Sequence, residues 1–462
     1  MARPTVVAWA ACAVLTLAGS LTVGGVAAAK VRQEPALARP PATTALTVRT
    51  QPANAPGEQT ALPAPAKAAD GSITRSDLEA FVAAHTAALK EKDRAAFVAA
   101  ADPKKPDVVK QQGQLYDNLQ KIPFTTASYA IKRVDGGEST FAQGAQVTAT
   151  VEFDHQISGV DSTAVVEQYQ WTVVRDAAGL LVTAVDAAPN RRGYPAPWDS
   201  VPNLTVLPRK HVVIMADDTS SAFAKSHADA LESDAQYDFA HWTGGTGTAP
   251  GFSVFLTSNR SLYENIYDQG RDESVGVTIP LAGADGASGS GKYPSTRIAV
   301  DTTEYKNADP ADADMVFKHE MAHAMIAPFE DLSGQSGQDH LWVVEGFAEW
   351  EAQRMYSPSE LLYSGDTLHA YANKHAAPKV LPTDTQVYNS DSDTSATGYF
   401  YSHLAIRYMA DKWSPEKVDQ FVLAVYKHAT SSSCVDDAMK NVLGTTTDQF
   451  VQGYAAWLRS SI

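Results

Sequence analysis

From Ser72 onward the chain spaces Leu78, Phe81, Val82, His85 and Leu89 three or four residues apart among polar positions. That is the spacing of one buried helix face, and Ser76, Asp77 and Glu79 favour its start, so a helix is predicted from Ser72 to about Asp102. The stretch DPKKPDVVKQQGQLYDNLQKI predicts a second helix. The period then falls to two. TTASYAIKRV, AQVTATVEFDHQI, AVVEQYQWTVVRD and LLVTAVDAAP read as strands, with turns at Gly136-Gly137, Gly159 and Gly179. Helices followed by an antiparallel meander make an accessory α+β unit over 71–195.

A Pro-rich joint, NRRGYPAPWDSVPNL, follows, and the pattern becomes mixed. KHVVIMA, FSVFLTS, VGVTIPL and TRIAVD predict strands. SAFAKSHADALESDAQYDFAHW predicts a long helix and RSLYENIYDQ a short one. AGADGASGSGKYPS is a Gly/Ser loop, and from Asp309 nearly everything is helical. Residues 200–462 are therefore expected to form one α+β domain, and each of the two parts is expected to fold alone.

The first residues have another character. Arg3 precedes a run from Thr5 to Ala29 without a charge, closed by Ala27-Ala28-Ala29. This reads as a signal peptide over 1–29, or as an N-terminal membrane anchor if it is not cleaved. A disordered Pro/Ala-rich linker is expected over 30–70. In either case the protein is secreted or sits on the extracytoplasmic face of the membrane. Only Cys12 and Cys434 are present, so a mature chain without its leader has no internal disulfide. The formal net charge of -16 argues against a nucleic-acid partner and fits a dispersed monomer.

Within FKHEMAHAM, His319 and His323 are one helical turn apart and leave the helix on one face, while Glu320 points about 100° round it. Asp309 as N-cap and Pro310 at the first position start this helix, and Pro328 ends it. Two imidazoles on one face suit Zn²⁺, and a carboxylate beside them can take a proton from water activated by the metal. Such sites need a third protein donor. HLWVVEGFAEWEAQRM offers Glu345 and Glu349, again one turn apart, among Trp342, Val344, Phe347 and Ala348.

His319-Glu320-x-x-His323 followed by Glu345-Gly346-Phe347-Ala348-Glu349 resembles the gluzincin zinc metallopeptidases, as the secreted bacterial ones carry it. The resemblance covers roughly 205–462 and implies a zincin-like domain. It puts the third ligand on Glu345, the general base on Glu320, and a carboxylate that fixes the His319 ring on Glu349. Gly346 would let two helices approach closely. In the C-terminal helices it places the tyrosine that stabilises the oxyanion at Tyr399, with Tyr401 and His403 as rivals and His340 behind them. STRIAVD, by its position, would be the sheet edge that pairs with an extended peptide. The accessory unit resembles small cone-shaped domains of the nuclear-transport-factor-like and cystatin-like kind. Its mid-strand His155 reads as a packing or solvent-facing residue. Together these imply an exported metallopeptidase, of endopeptidase type, acting on a peptide or protein substrate. A zinc hydrolase of a non-peptide amide and an inactive zincin-fold binding protein are the alternatives.

Overall fold

A computed structural model describes residues 13–14, 72–135, 146–177, 179–188, 195–264, 266, 275–284, 293–303, 305, 310–330, 338–356 and 379–461. The leader (Ala13 and Val14 apart), the linker, the Gly136-Gly137 turn, Asp309 and most of the Gly/Ser loop lie outside the described residues. Among the described residues no helix is long and apolar enough to cross a membrane.

Ala13–Val14 form a two-residue strand, β1. The accessory part opens with α1 (Arg75–Lys90), α2 (Arg94–Ala99) and α3 (Pro106–Leu119). A capping box between Thr74 and Asp77 starts α1. The single helix expected over 72–102 is broken instead. Lys92 takes a left-handed conformation (φ 61°), and Asp93 restarts the chain by accepting from the Ala96 amide. Four strands follow: β2 (Phe124–Val134), β3 (Gln146–Ile157), β4 (Val165–Arg175) and β5 (Leu180–Ala187). They pair antiparallel in sequence order, as the alternating pattern predicts.

The short α4 (Pro197–Ser200) crosses the joint. Beyond it come β6 (Thr205–Pro208), β7 (Val212–Ala216), α5 (Ser221–His241), β8 (Phe252–Thr257), α6 (Arg260–Tyr263), β9 (Gly276–Leu281) and β10 (Ser295–Asp301). Helices complete the chain: α7 (Pro310–Ile326), α8 (Leu341–Gln353), α9 (Asp384–Val387), α10 (Ser392–Lys412), α11 (Pro415–Lys427), α12 (Cys434–Ala438) and α13 (Thr447–Ser461). The sheet order is β1-β9-β10-β8-β7-β6. Strands β7, β8 and β10 are mutually parallel, while β9 runs antiparallel to β10 and β6 antiparallel to β7. The molecule is thus of mixed α+β type, with one antiparallel and one mixed sheet.

This order corrects one expectation. Residues 295–301 are not the sheet edge: β10 hydrogen-bonds to β8 on one side and β9 on the other. On that side β9 is the next strand, and β1 forms the edge, parallel to β9 at Val277 and Thr278.

Strands β7, β8 and β10 are buried on both faces, which is why β7 and β8 read as near-continuous apolar runs. Val212, Ile214, Val254, Leu256, Ile298 and Val300 face one core with α5, α7, α8 and α10. Val213, Met215, Phe255, Val277 and Ala299 face a second core, shared with Phe153 and Trp171 of the meander and Trp198 of α4. Arg297, on that second face, makes a buried ion pair with Asp161 of the β3–β4 turn at 2.7 Å. The accessory part and the rest are therefore not independent: they share a core and form one compact unit.

Candidate metal centre

Helix α7 is enclosed on nearly every side; Val316, Phe317, Met321, Ala322 and Met325 are at most 1 % exposed. A polar side chain on such a helix needs a partner inside the protein. Lys318 finds Asp234 of α5 at 3.2 Å. His319 and His323 turn toward α8. Glu320 turns the other way, toward β9.

Helix α8 is placed by two devices. Asp384 of α9 accepts from the amides of His340 and Leu341 at 2.8 Å each and so caps its first turn. Further along, Gly346 sits against the backbone of α10; a Cβ there would stand 2.5 Å from the Ser402 carbonyl oxygen. Only glycine permits that approach, and Glu345 is carried with it to α7.

The result is a convergence of three donors. His319 Nε2 and His323 Nε2 are 3.0 Å apart. Glu345 Oε2 is 3.3 Å from the first and 3.4 Å from the second. All three side chains are at most 3 % exposed. Two neutral imidazoles cannot both aim lone pairs at one point without a cation or proton between them. Burial would raise the Glu345 carboxyl, but the His323 charge and hydrogen bonds to both rings hold it down to about 2. His319, His323 and Glu345 form a buried group that can hold a metal ion, the one such group among the described residues.

The flanking residues have defined positions. Glu349 Oε1 lies 3.4 Å from His319 Nδ1, and Gln353 donates to Glu349 Oε2 at 2.7 Å. Burial pushes the Glu349 carboxyl up, but the His319 hydrogen bond, then the His319 and His403 charges, bring it below the usual range. Glu320 Oε2 accepts from the Thr278 hydroxyl of β9 at 2.6 Å. Its Oε1 lies over Gly276, where a Cβ would stand 2.7 Å away.

The aromatic candidates are spread over α10. That helix begins at Ser392, so Tyr399 stands two turns inside it and is 5 % exposed. Tyr401 is on the side of α13, where Tyr454 donates to its carbonyl at 2.9 Å. His403 is buried, lies near Glu349 and His319, and is held neutral, its pKa lowered to about 4 chiefly by burial. His340 caps the start of α8, its ring bonded to the Gln338 carbonyl at 2.9 Å. A tyrosine hydroxyl that reaches one of the three donors belongs to Tyr388, just after α9, and donates to Glu345 Oε1. The sequence reading missed it. The one local signal was the Thr383-x-x-Gln386 capping box that starts α9.

No family model matches the chain, and no curated protein sequence matches it.

Proposed function

We propose that the protein is a zinc-dependent metallopeptidase of the gluzincin type, exported from the cell and acting on peptide bonds. The observation that carries this reading is the convergence of His319, His323 and Glu345 with Glu320 beside them on the same helix, facing β9. Two imidazoles and a carboxylate, all buried, are the donor set of catalytic zinc. Bound there, zinc would act as a Lewis acid toward a carbonyl oxygen and make water a nucleophile near neutral pH. Glu320 takes the proton of the attacking water and returns it to the leaving amine. Thr278 fixes one carboxylate oxygen of Glu320 for that task. Glu349, held by Gln353, sets the His319 ring so that Nε2 faces the other donors.

The peptide class of substrate is supported by β9. It lies against α7 beside Glu320, and its outer side already accepts a strand, Ala13–Val14. An extended peptide in the place of Ala13–Val14 would pass the base.

Metal analysis of purified protein, combined with digestion of a peptide library, tests the proposal. One zinc per chain and cleavage are expected, both lost on chelation. Glu320→Gln is expected to keep the metal and to lose about 10²- to 10⁴-fold in kcat. A wild-type chain without metal, or a Glu320→Gln variant of full activity, overturns the reading.

A further inference from the structure

The structure assigns Tyr388 as the positioning residue that leaves Glu345 a single oxygen, Oε2, for the metal. The inference rests on the metal-centre reading above. Its starting point is the division of labour between the two Glu345 oxygens. Oε2 faces both imidazole nitrogens, at 3.3 and 3.4 Å, whereas Oε1 accepts the Tyr388 hydroxyl. A carboxylate with both oxygens available can chelate a divalent ion and take up a further coordination position. One whose second oxygen is engaged in a charge-assisted hydrogen bond presents a single donor. Catalytic zinc sites need that position open.

The tyrosine is in turn held from three sides. Asp384, four residues before it, caps α8 through the His340 and Leu341 amides, so α9 is pinned to the helix that carries Glu345. Ser395 of α10 donates to the Val387 carbonyl at 2.7 Å. Gly398 lies so close to the same turn that a Cβ would stand 2.9 Å from Val387 Cα. The hydroxyl thus belongs to a fixed frame tied to both helices flanking the centre, as a group that orients a ligand requires.

The test uses the full-length protein, loaded with zinc or cobalt, as wild type and as Tyr388→Phe, which keeps the ring and removes the hydroxyl. Metal affinity is measured by chelator competition, coordination by X-ray absorption at the zinc edge and by the visible spectrum of the cobalt form. Tyr388→Phe is expected to bind metal about 10- to 100-fold more weakly. It is also expected to gain a carboxylate oxygen in the inner coordination sphere, with weaker cobalt bands. An unchanged melting temperature of the metal-free variant separates this from a folding defect; a lowered one means the hydroxyl serves the fold and overturns the assignment. Wild-type affinity and coordination in Tyr388→Phe overturn it too, and if kcat alone falls, the hydroxyl acts on substrate instead. A wild type that binds neither metal overturns the metal centre itself.

Discussion

Gly276 is the residue on which the Glu320 carboxylate depends most directly. Adding one methyl group there would put carbon 2.7 Å from Glu320 Oε1 and 3.1 Å from Val316 Cγ1. Val316 is packed, so the carboxylate has to give way. Gly276→Ala should therefore keep its metal but lose about 10²-fold in kcat, the scale of a misplaced catalytic group. Metal content and kcat measured on the same sample check this; full kcat would mean that Glu320 works from another position. The two histidines and their acids were legible because a helix converts spacing directly into direction. Glu345 was legible for the same reason, one helix later. Tyr388 was not, since its place depends on Asp384 capping a helix that starts 43 residues earlier. No local period records such a contact.

Helices α5, α7, α8 and α11 meet along a seam of buried carboxyl groups. Asp234 and Asp238 come from α5, Glu351 from α8 and Asp419 from α11, none more than 4 % exposed. Lys318 and Arg354 face them as cations, with Asp314 and Tyr237 alongside. Burial, above all, raises Asp234 and Glu351 to about 7 and Asp238 well above the carboxylate range. The folded protein therefore binds more protons than the unfolded chain between the ordinary carboxyl range and about 7. Stability supplied by this seam is complete below the unfolded pKa values and is lost as pH rises through about 7. Asp238→Asn should flatten that fall; thermal melts of both proteins across roughly pH 5 to 8 decide it, and equal slopes would refute it. His85 pulls the other way. Burial among Phe97, Tyr129 and Trp171 lowers it to about 3, so its contribution is present above about 6.5 and is lost as pH falls toward 3. Most helices were visible in the sequence as periodic faces. The break at Lys92 was hidden because apolar spacing continues through it, and only backbone geometry separates α1 from α2.

The accessory part supplies one face of the core beneath the mixed sheet. A protein begun at residue 200 would expose Val213, Met215, Phe255, Val277 and Ala299 to water and strip Arg297 of Asp161. Such a fragment is expected to bind hydrophobic dyes and to aggregate; a monodisperse, metal-binding fragment would refute the shared core. Fold class was readable from the change of period, because alternation and helical spacing are local. The union of the parts was not. KHVVIMA announces a strand buried on both faces, but nothing in it says which segment supplies the second cover. Strand order was equally hidden: β10 follows β9 in sequence yet takes the inner position, a choice made by pairing rather than by pattern.

The Arg297–Asp161 pair also bears on how such a chain can change over time. Recombination moves a module intact when its border with the rest is polar and tolerant. Here the border is a charged bond set in an apolar plug, and a replacement front part must bring an acid to that one point and a matching apolar face around it. A chimaera of front and back from distant relatives is therefore expected to fail in folding before it fails in chemistry.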